Sequence, residues 1–161
     1  MINIVLYKPD IPQNTAAIIR LSACLNLKIH IIEPCGFNLN DSRFKRVAMD
    51  YISLSHIARY PDFETFVKKN SKSRVVLMTT KSKKFYHHFK FKKHDFLLFG
   101  RESAGVPDEI HEKIKNRLKV PLSGKARSLN VAMTVAIVAT EALKQNNFLN
   151  ETINRDKKKI S

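Results

Sequence analysis

The chain is short of glycine, of acidic residues and of cysteine, and it has no long apolar run. It has four glycines in 161 residues. No Gly-x-Gly-x-x-Gly occurs, so the usual dinucleotide turn is missing. Gly100 and Gly105 have the spacing of a phosphate loop, but Val106-Pro107 stands where that loop needs Lys and Ser or Thr. No Gly-x-Ser-x-Gly elbow occurs, which removes visible support for hydrolase chemistry. The two cysteines, Cys24 and Cys35, fit no zinc spacing, and one pair makes no disulfide framework. Reduced, partly buried thiols in a cytoplasmic protein are the expectation. His87 and His88 are adjacent with no third ligand beside them, so no metal is expected. No apolar run approaches the ~20 residues of a membrane span. The opening Met1-Ile-Asn-Ile-Val-Leu-Tyr7 lacks a charged n-region and a longer apolar segment, so neither signal peptide nor membrane attachment is expected.

Against 14 Asp and Glu stand 29 Lys and Arg, a formal net charge of +15. The excess is concentrated. Residues 65–94 contain no acid, ten Lys or Arg and three His, and so hold ten of the fifteen net charges. Phe85, Tyr86, Phe89 and Phe91 are interleaved there with Lys83, Lys84, Lys90, Lys92 and Lys93. Lysines neutralise phosphates, and aromatic rings stack on unpaired bases. The alternative is that the rings pack inward and the lysines are merely solvated. An RNA partner is the expectation, with Lys83, Lys84 and Lys90 as contacts.

What remains reads as one α/β domain over residues 1–145, followed by a polar basic tail over 146–161. Strands are expected at Ile2–Tyr7, Lys28–Ile32, 51–57, Arg74–Thr79, Phe96–Phe99 and Leu118–Pro121. Helices are expected over 15–26, capped by Asn14 or Thr15, over part of 37–50 with Arg43, Lys45 and Arg46, and over Pro61–Lys69. Another short helix starts at Pro107, and a long one runs from a Ser128 cap to about Lys144. The last helix is apolar almost all round, which asks for burial on several sides and suggests a dimer interface. Two apolar runs, Phe96–Phe99 and Leu118–Pro121, break into polar loops holding Gly100, Gly105 and Gly124. Buried parallel strands end this way, and ligands of open α/β sheets sit off such ends.

Three segments carry a family resemblance. They are Ile11-Pro-Gln-Asn-Thr-Ala-Ala-Ile-Ile-Arg20, Leu98-Phe-Gly-Arg-Glu-Ser-Ala-Gly105, and Val120-Pro-Leu continuing to Arg127-Ser-Leu-Asn-Val131. In this order they resemble the motifs of the SPOUT (SpoU–TrmD) methyltransferases, specifically the SpoU branch that methylates ribose 2′-hydroxyls. Ile31-Ile-Glu-Pro34 with Gly36-Phe37, and the short length, are similar to the TrmL subgroup, which modifies the wobble nucleotide of certain tRNAs. The resemblance implies a mostly parallel sheet flanked by helices, with a C-terminal trefoil knot, and a homodimer that buries the last helix. It implies S-adenosylmethionine held by Met78, Thr79, Gly100, Glu102, Gly105, Val120, Leu122 and Ser128. It implies catalytic roles for Arg20, Asn14, Glu102 and Asn130, and a phosphate contact for Arg127. A guanidinium is essentially always protonated, so Arg20 is read as an orienting group rather than a base. Ala16-Ala17 departs from the Gly-Asn or Gly-Thr of many relatives, which bears on substrate choice. The competing readings are the same chemistry on ribosomal RNA, and a catalytically silent RNA-binding protein.

Overall fold

A computed structural model of the chain describes residues 1–42, 44, 46, 48, 51 and 56–148. Its strands are β1 (Asn3–Tyr7), β2 (Lys28–Ile32), β3 (His56–Tyr60), β4 (Val75–Met78), β5 (Phe96–Phe99) and β6 (Asn116–Leu118). The helices used below are α1 (Pro12–Cys24), α2 (Phe63–Lys69), α3 (Asp108–Lys113) and α4 (Val131–Gln145). All six strands form one sheet in the order β3-β2-β1-β5-β4-β6, and every pairing is parallel.

The strand sequences explain the layering. All of β1 and β5 is buried, as strands covered on both faces must be. Alternate side chains leave the pleat on opposite sides. Ile4, Leu6, Leu97 and Phe99 face a core that includes Val135, Val138, Ala139 and Ala142 of α4. Val5, Tyr7, Phe96 and Leu98 face Phe63 and Phe66 of α2 and Ile110 of α3. Ala16 and Ile19 of α1 cover Ile29 and Ile31 of β2. Of the unusual pair in the first motif, Ala16 is therefore core, whereas Ala17 is exposed.

Several sequence-based expectations move. Helix α1 starts at Pro12 with Ile11 as its N-cap residue, so Asn14 and Thr15 lie inside its first turn. Proline needs no partner for a missing N–H and pre-sets φ there. Asn14 is thereby freed from capping. Helix α4 is capped by Asn130, whose Oδ1 accepts from Ala132 N at 2.8 Å and Met133 N at 3.3 Å; Ser128 lies before the cap. Asp62 caps α2, accepting from Thr65 N at 2.6 Å, so that helix begins two residues after Pro61. The third strand is later than 51–57, because its register follows β2, with Lys28 beside His56 and Ile32 beside Tyr60. Residues 52–55 of that expectation, and Arg43 and Lys45 of the expected 37–50 helix, lie outside the described residues; so does the tail from 149.

The last strand is Asn116–Leu118 rather than Leu118–Pro121. Beyond it the backbone pairs with the 79–86 segment. Thr79 N donates to Leu118 O at 2.8 Å, Lys119 N to Lys84 O at 2.8 Å, and Tyr86 N to Lys119 O at 3.0 Å. Pro121 has no N–H with which to extend a ladder.

Candidate cofactor and RNA site

Three loops leave the carboxyl ends of the adjacent strands β5, β4 and β6 and enclose one cavity of about 560 Å³. Small-molecule sites are commonly about this size, and the edge of the sheet is the correct one. All eight positions named for a cofactor line it: Met78, Thr79, Gly100, Glu102, Gly105, Val120, Leu122 and Ser128. Asn14 and Asn130 line it as well.

The middle loop is a tight turn held from outside. Arg101 and Gly105 exchange backbone hydrogen bonds, Arg101 N to Gly105 O at 3.1 Å and Gly105 N to Arg101 O at 2.8 Å. Gly105 has φ +70°, where side chains are strained. A Cβ on Gly100 would lie 2.6 Å from Gly105 Cα and 2.8 Å from Val106 N, so backbone itself excludes any side chain there. Asp10, just after β1, clamps the turn. It pairs with the Arg101 guanidinium, and its Oδ2 accepts from Ser103 N at 3.1 Å and Ser103 Oγ at 2.5 Å. The Arg101 hydrogen bond, followed by that of Ser103, holds the Asp10 carboxyl well below the usual carboxylate range.

One polar chain joins all three motifs. Asp10 N donates to Glu102 Oε2 at 2.8 Å, Asn14 Nδ2 donates to Glu102 Oε1 at 3.0 Å, and Asn130 Nδ2 donates to Asn14 Oδ1 at 2.8 Å. Chemistry at the two ends fixes every amide orientation. The helix N–H groups only donate, so Asn130 must offer them oxygen and turn its NH₂ to Asn14. Asn14 then accepts with oxygen and turns its own NH₂ to the Glu102 carboxylate, which only accepts. Both Glu102 oxygens are engaged in orientation.

The remaining predicted residues are not in this cavity. Arg20 is exposed on α1, its guanidinium 5.1 Å from the Tyr51 ring centroid, and it does not line the cavity of its own chain. Arg127 is exposed on the third loop, and Lys83, Lys84 and Lys90 are exposed on the 81–93 segment. Among the described residues, no group of three His, Cys, Asp or Glu is placed to hold a metal.

Other cavity residues had no sequence signal. Lys81 lines it while pairing with Asp108 at 2.9 Å. His111 also lines it. Arg117 Nη1 lies 3.2 Å from His111 Nδ1, and a guanidinium only donates, so Nδ1 accepts and the proton sits on Nε2. His111 Nε2 is buried without a protein partner.

Known proteins resemble this chain in sequence and fold. The tRNA (cytidine(34)-2'-O)-methyltransferase of Ancylobacter novellus is 44% identical over 142 residues, covering 87% of this chain and 90% of the relative. A solved structure concerned with 2-OH methylation of C/U34 on tRNA superposes with a TM-score of 0.87 at 34% identity, covering 91% of this chain and 97% of that one. The AdoMet-bound rRNA methyltransferase of Sinorhizobium meliloti has the same fold, with a TM-score of 0.81 at 24% identity, over 89% of this chain and 56% of its own. The model of the SpoU rRNA Methylase family matches residues 1–140. The three loops and their joined polar residues thus sit in a chain that belongs, along nearly its whole described length, to the SpoU rRNA Methylase family.

Proposed function

We propose that this protein transfers a methyl group from S-adenosylmethionine to the ribose 2′-oxygen of the wobble nucleotide, C or U at position 34, in the anticodon of tRNA. The observation that carries the reading is the joining of Asn14, Glu102 and Asn130 at a cavity walled by three strand-end loops. Similarity to tRNA position-34 enzymes over almost the full length of both chains supports the substrate.

The cavity suits the cofactor. Gly100 brings bare backbone to its wall, and Leu77, Phe99, Val106, Val120 and Leu122 give an apolar lining for a flat ring. When bound, S-adenosylmethionine would supply an electrophilic methyl on sulfonium, leaving as S-adenosylhomocysteine while the proton of the 2′-hydroxyl passes to solvent. The protein's own contribution is placement: in-line orientation of a hydroxyl is worth several kcal/mol in such reactions. The Asn14–Asn130 pair presents fixed amides at the cavity, and Glu102 locks them. Arg20 serves as an orienting cation for the ribose oxygen or its neighbouring phosphate.

That role needs a second copy, since Arg20 is absent from the cavity of its own chain. Leu129, Met133 and Ile137 are 40%, 60% and 36% exposed. They repeat every four residues along α4 and the turn before it, and α4 packs on α1, which carries Arg20. A homodimer closing over this stripe would sit beside Arg20. The same reading includes the C-terminal trefoil knot of the SPOUT fold and a cytoplasmic place of work. It assigns Arg127, Lys83, Lys84 and Lys90 to RNA phosphates.

Purified protein, labelled S-adenosylmethionine and unmodified tRNA, followed by nucleoside mass spectrometry, test the proposal. A 2′-O-methyl nucleotide mapped to position 34 is expected. Arg20→Ala should lower turnover by at least about a hundredfold, the scale of losing one charge-stabilising donor, with cofactor affinity retained. A methyl on a base, or only on ribosomal RNA, would overturn it.

A further inference from the structure

The four aromatics of the basic segment part company. Phe91 is buried, and Tyr86 and Phe89 pack against the α4 side of the core. Phe85 belongs to none of the hydrophobic clusters. Its ring contacts are polar or cationic: His87 stacks on it at 5.7 Å and 11°, His88 meets it edge-on at 6.4 Å, and Lys119 Nζ lies 5.2 Å from its centroid. Beside it lies a second cavity of about 290 Å³, lined by Lys83, Lys84, Phe85, His88, Phe89 and Leu118. Lys83 and Lys84 have no acidic partner among the described residues.

We propose that this second cavity receives one unpaired base of the RNA, flanking the nucleotide that is methylated, with Phe85 as its stacking platform and Lys83 and Lys84 on the adjoining phosphates. The inference rests on the proposed function and deepens it.

Three observations support it. The backbone of the site is tied down although it lies on the surface: Ser82 Oγ donates to Arg117 O at 2.7 Å and accepts from Lys84 N at 3.0 Å, and Phe85 bridges to Lys119. Preorganised sites lose less on binding. It also adjoins the first cavity, because one stretch of backbone serves both. Thr79 and Lys81 line the first and Lys83 and Lys84 the second, while across from them Val120 lines the first and Leu118 the second. An RNA strand presenting a ribose at one cavity therefore has its neighbouring base within reach of the other. Finally, an aromatic ring beside Lys83 and Lys84, neither with an acidic partner among the described residues, suits a nucleotide, whose base stacks and whose phosphate is anionic; an apolar peptide would leave those cations without a counter-charge.

The test is equilibrium binding, which does not depend on methyl transfer. An anticodon stem-loop carries 2-aminopurine at either position flanking the target nucleotide. With wild-type protein, fluorescence at one flank should be quenched. Phe85→Leu should abolish the quench and weaken RNA binding between about fivefold and a hundredfold, and Phe85→Tyr should restore both. Lys83→Gln with Lys84→Gln should reduce the slope of log K against log salt by about one to two. S-adenosylmethionine affinity should stay unchanged in all of them. No quench at either flank, or equal RNA affinity for Phe85→Leu and wild type, overturns the proposal even if methylation at position 34 is observed. So does loss of cofactor affinity in Phe85→Leu, which would make Phe85 a structural residue. If the quench and its loss are seen but no methyl is transferred, the enzymatic reading fails and the base site stands.

Discussion

Asn130 divides one amide between two neighbours. Its oxygen caps α4 and its NH₂ orients Asn14. Aspartate separates these duties. It caps a helix as well as asparagine and suits the positive end of the dipole, but it cannot donate. Asn130→Asp should therefore keep the α4 cap, so that any loss of stability comes from the Asn14 bond and not from the helix end. Its carboxylate would face Asn14 Oδ1, and rotating Asn14 would only turn that oxygen onto Glu102. Loss of such an oriented bond costs about 1–3 kcal/mol, so turnover should fall roughly tenfold to a hundredfold. Thermal unfolding and methyl-transfer kinetics on the same preparation check this; a fully active variant would show that amide orientation is irrelevant. Asn14, Glu102 and Asn130 were visible in the sequence as motif positions, but their connection was not, since they are 88 and 116 residues apart. His111 was invisible because its meaning comes from Arg117, on the strand after its own helix.

At the scale of elements, apolar runs located β1, β2, β4 and β5 well, since a strand buried on both faces has little freedom of composition. The edges were less legible. Strand β6 ends where Lys119 turns to pair with Lys84, a contact made by the other loop and unreadable from 118–121 alone. The α1 cap was misplaced because Pro12 starts that helix after Ile11 with no side-chain cap, and the α4 cap because Ser and Asn both cap acceptably. The Gly100–Gly105 turn was clearer: in a chain with four glycines, two in one loop signal close backbone. Gly100→Ala would force Cβ into Gly105 and Val106, with a cost of about 1–3 kcal/mol as for other overpacked sites. Chemical denaturation should show that loss, and calorimetry a weaker affinity for S-adenosylmethionine. On β2, His30 is buried between Tyr60 OH at 3.0 Å and Asn3 Oδ1 at 3.2 Å. Burial, helped by Lys28, pushes its pKa from 6.5 down to about 4. Between those values the unfolded chain binds a proton that the folded chain excludes. Stability from this group is therefore complete above pH 6.5 and declines until pH 4, by on the order of 2–3 kcal/mol. Melting from pH 7.5 to 4 should show a smaller decline for His30→Gln than for wild type; equal declines would place the effect elsewhere.

Over the whole molecule, two surfaces suit the proposed partners. One is the basic face of 81–93. The other is the apolar stripe of Leu129, Met133 and Ile137, which the sequence showed only as a helix with too much apolar surface for one side. Which copy's cavity Arg20 would serve was not readable from pattern, because spacing along α1 says nothing about a second chain. Met133→Glu should shift the protein toward monomer in sedimentation, with activity falling in parallel. The decisive measurement mixes two impaired chains. Arg20→Ala keeps its cavity and loses the arginine; Gly100→Val keeps the arginine and loses the cavity, since backbone leaves no space for a side chain at 100. If Arg20 serves the partner's cavity, a mixed dimer has one complete site, formed by the Arg20→Ala cavity and the arginine of the other chain. Random pairing makes half of the dimers mixed, each with one of two sites working, so co-expression should recover roughly a quarter of wild-type turnover. If Arg20 served its own chain, no mixed dimer would hold a complete site, and the mixture would stay as inactive as its parents.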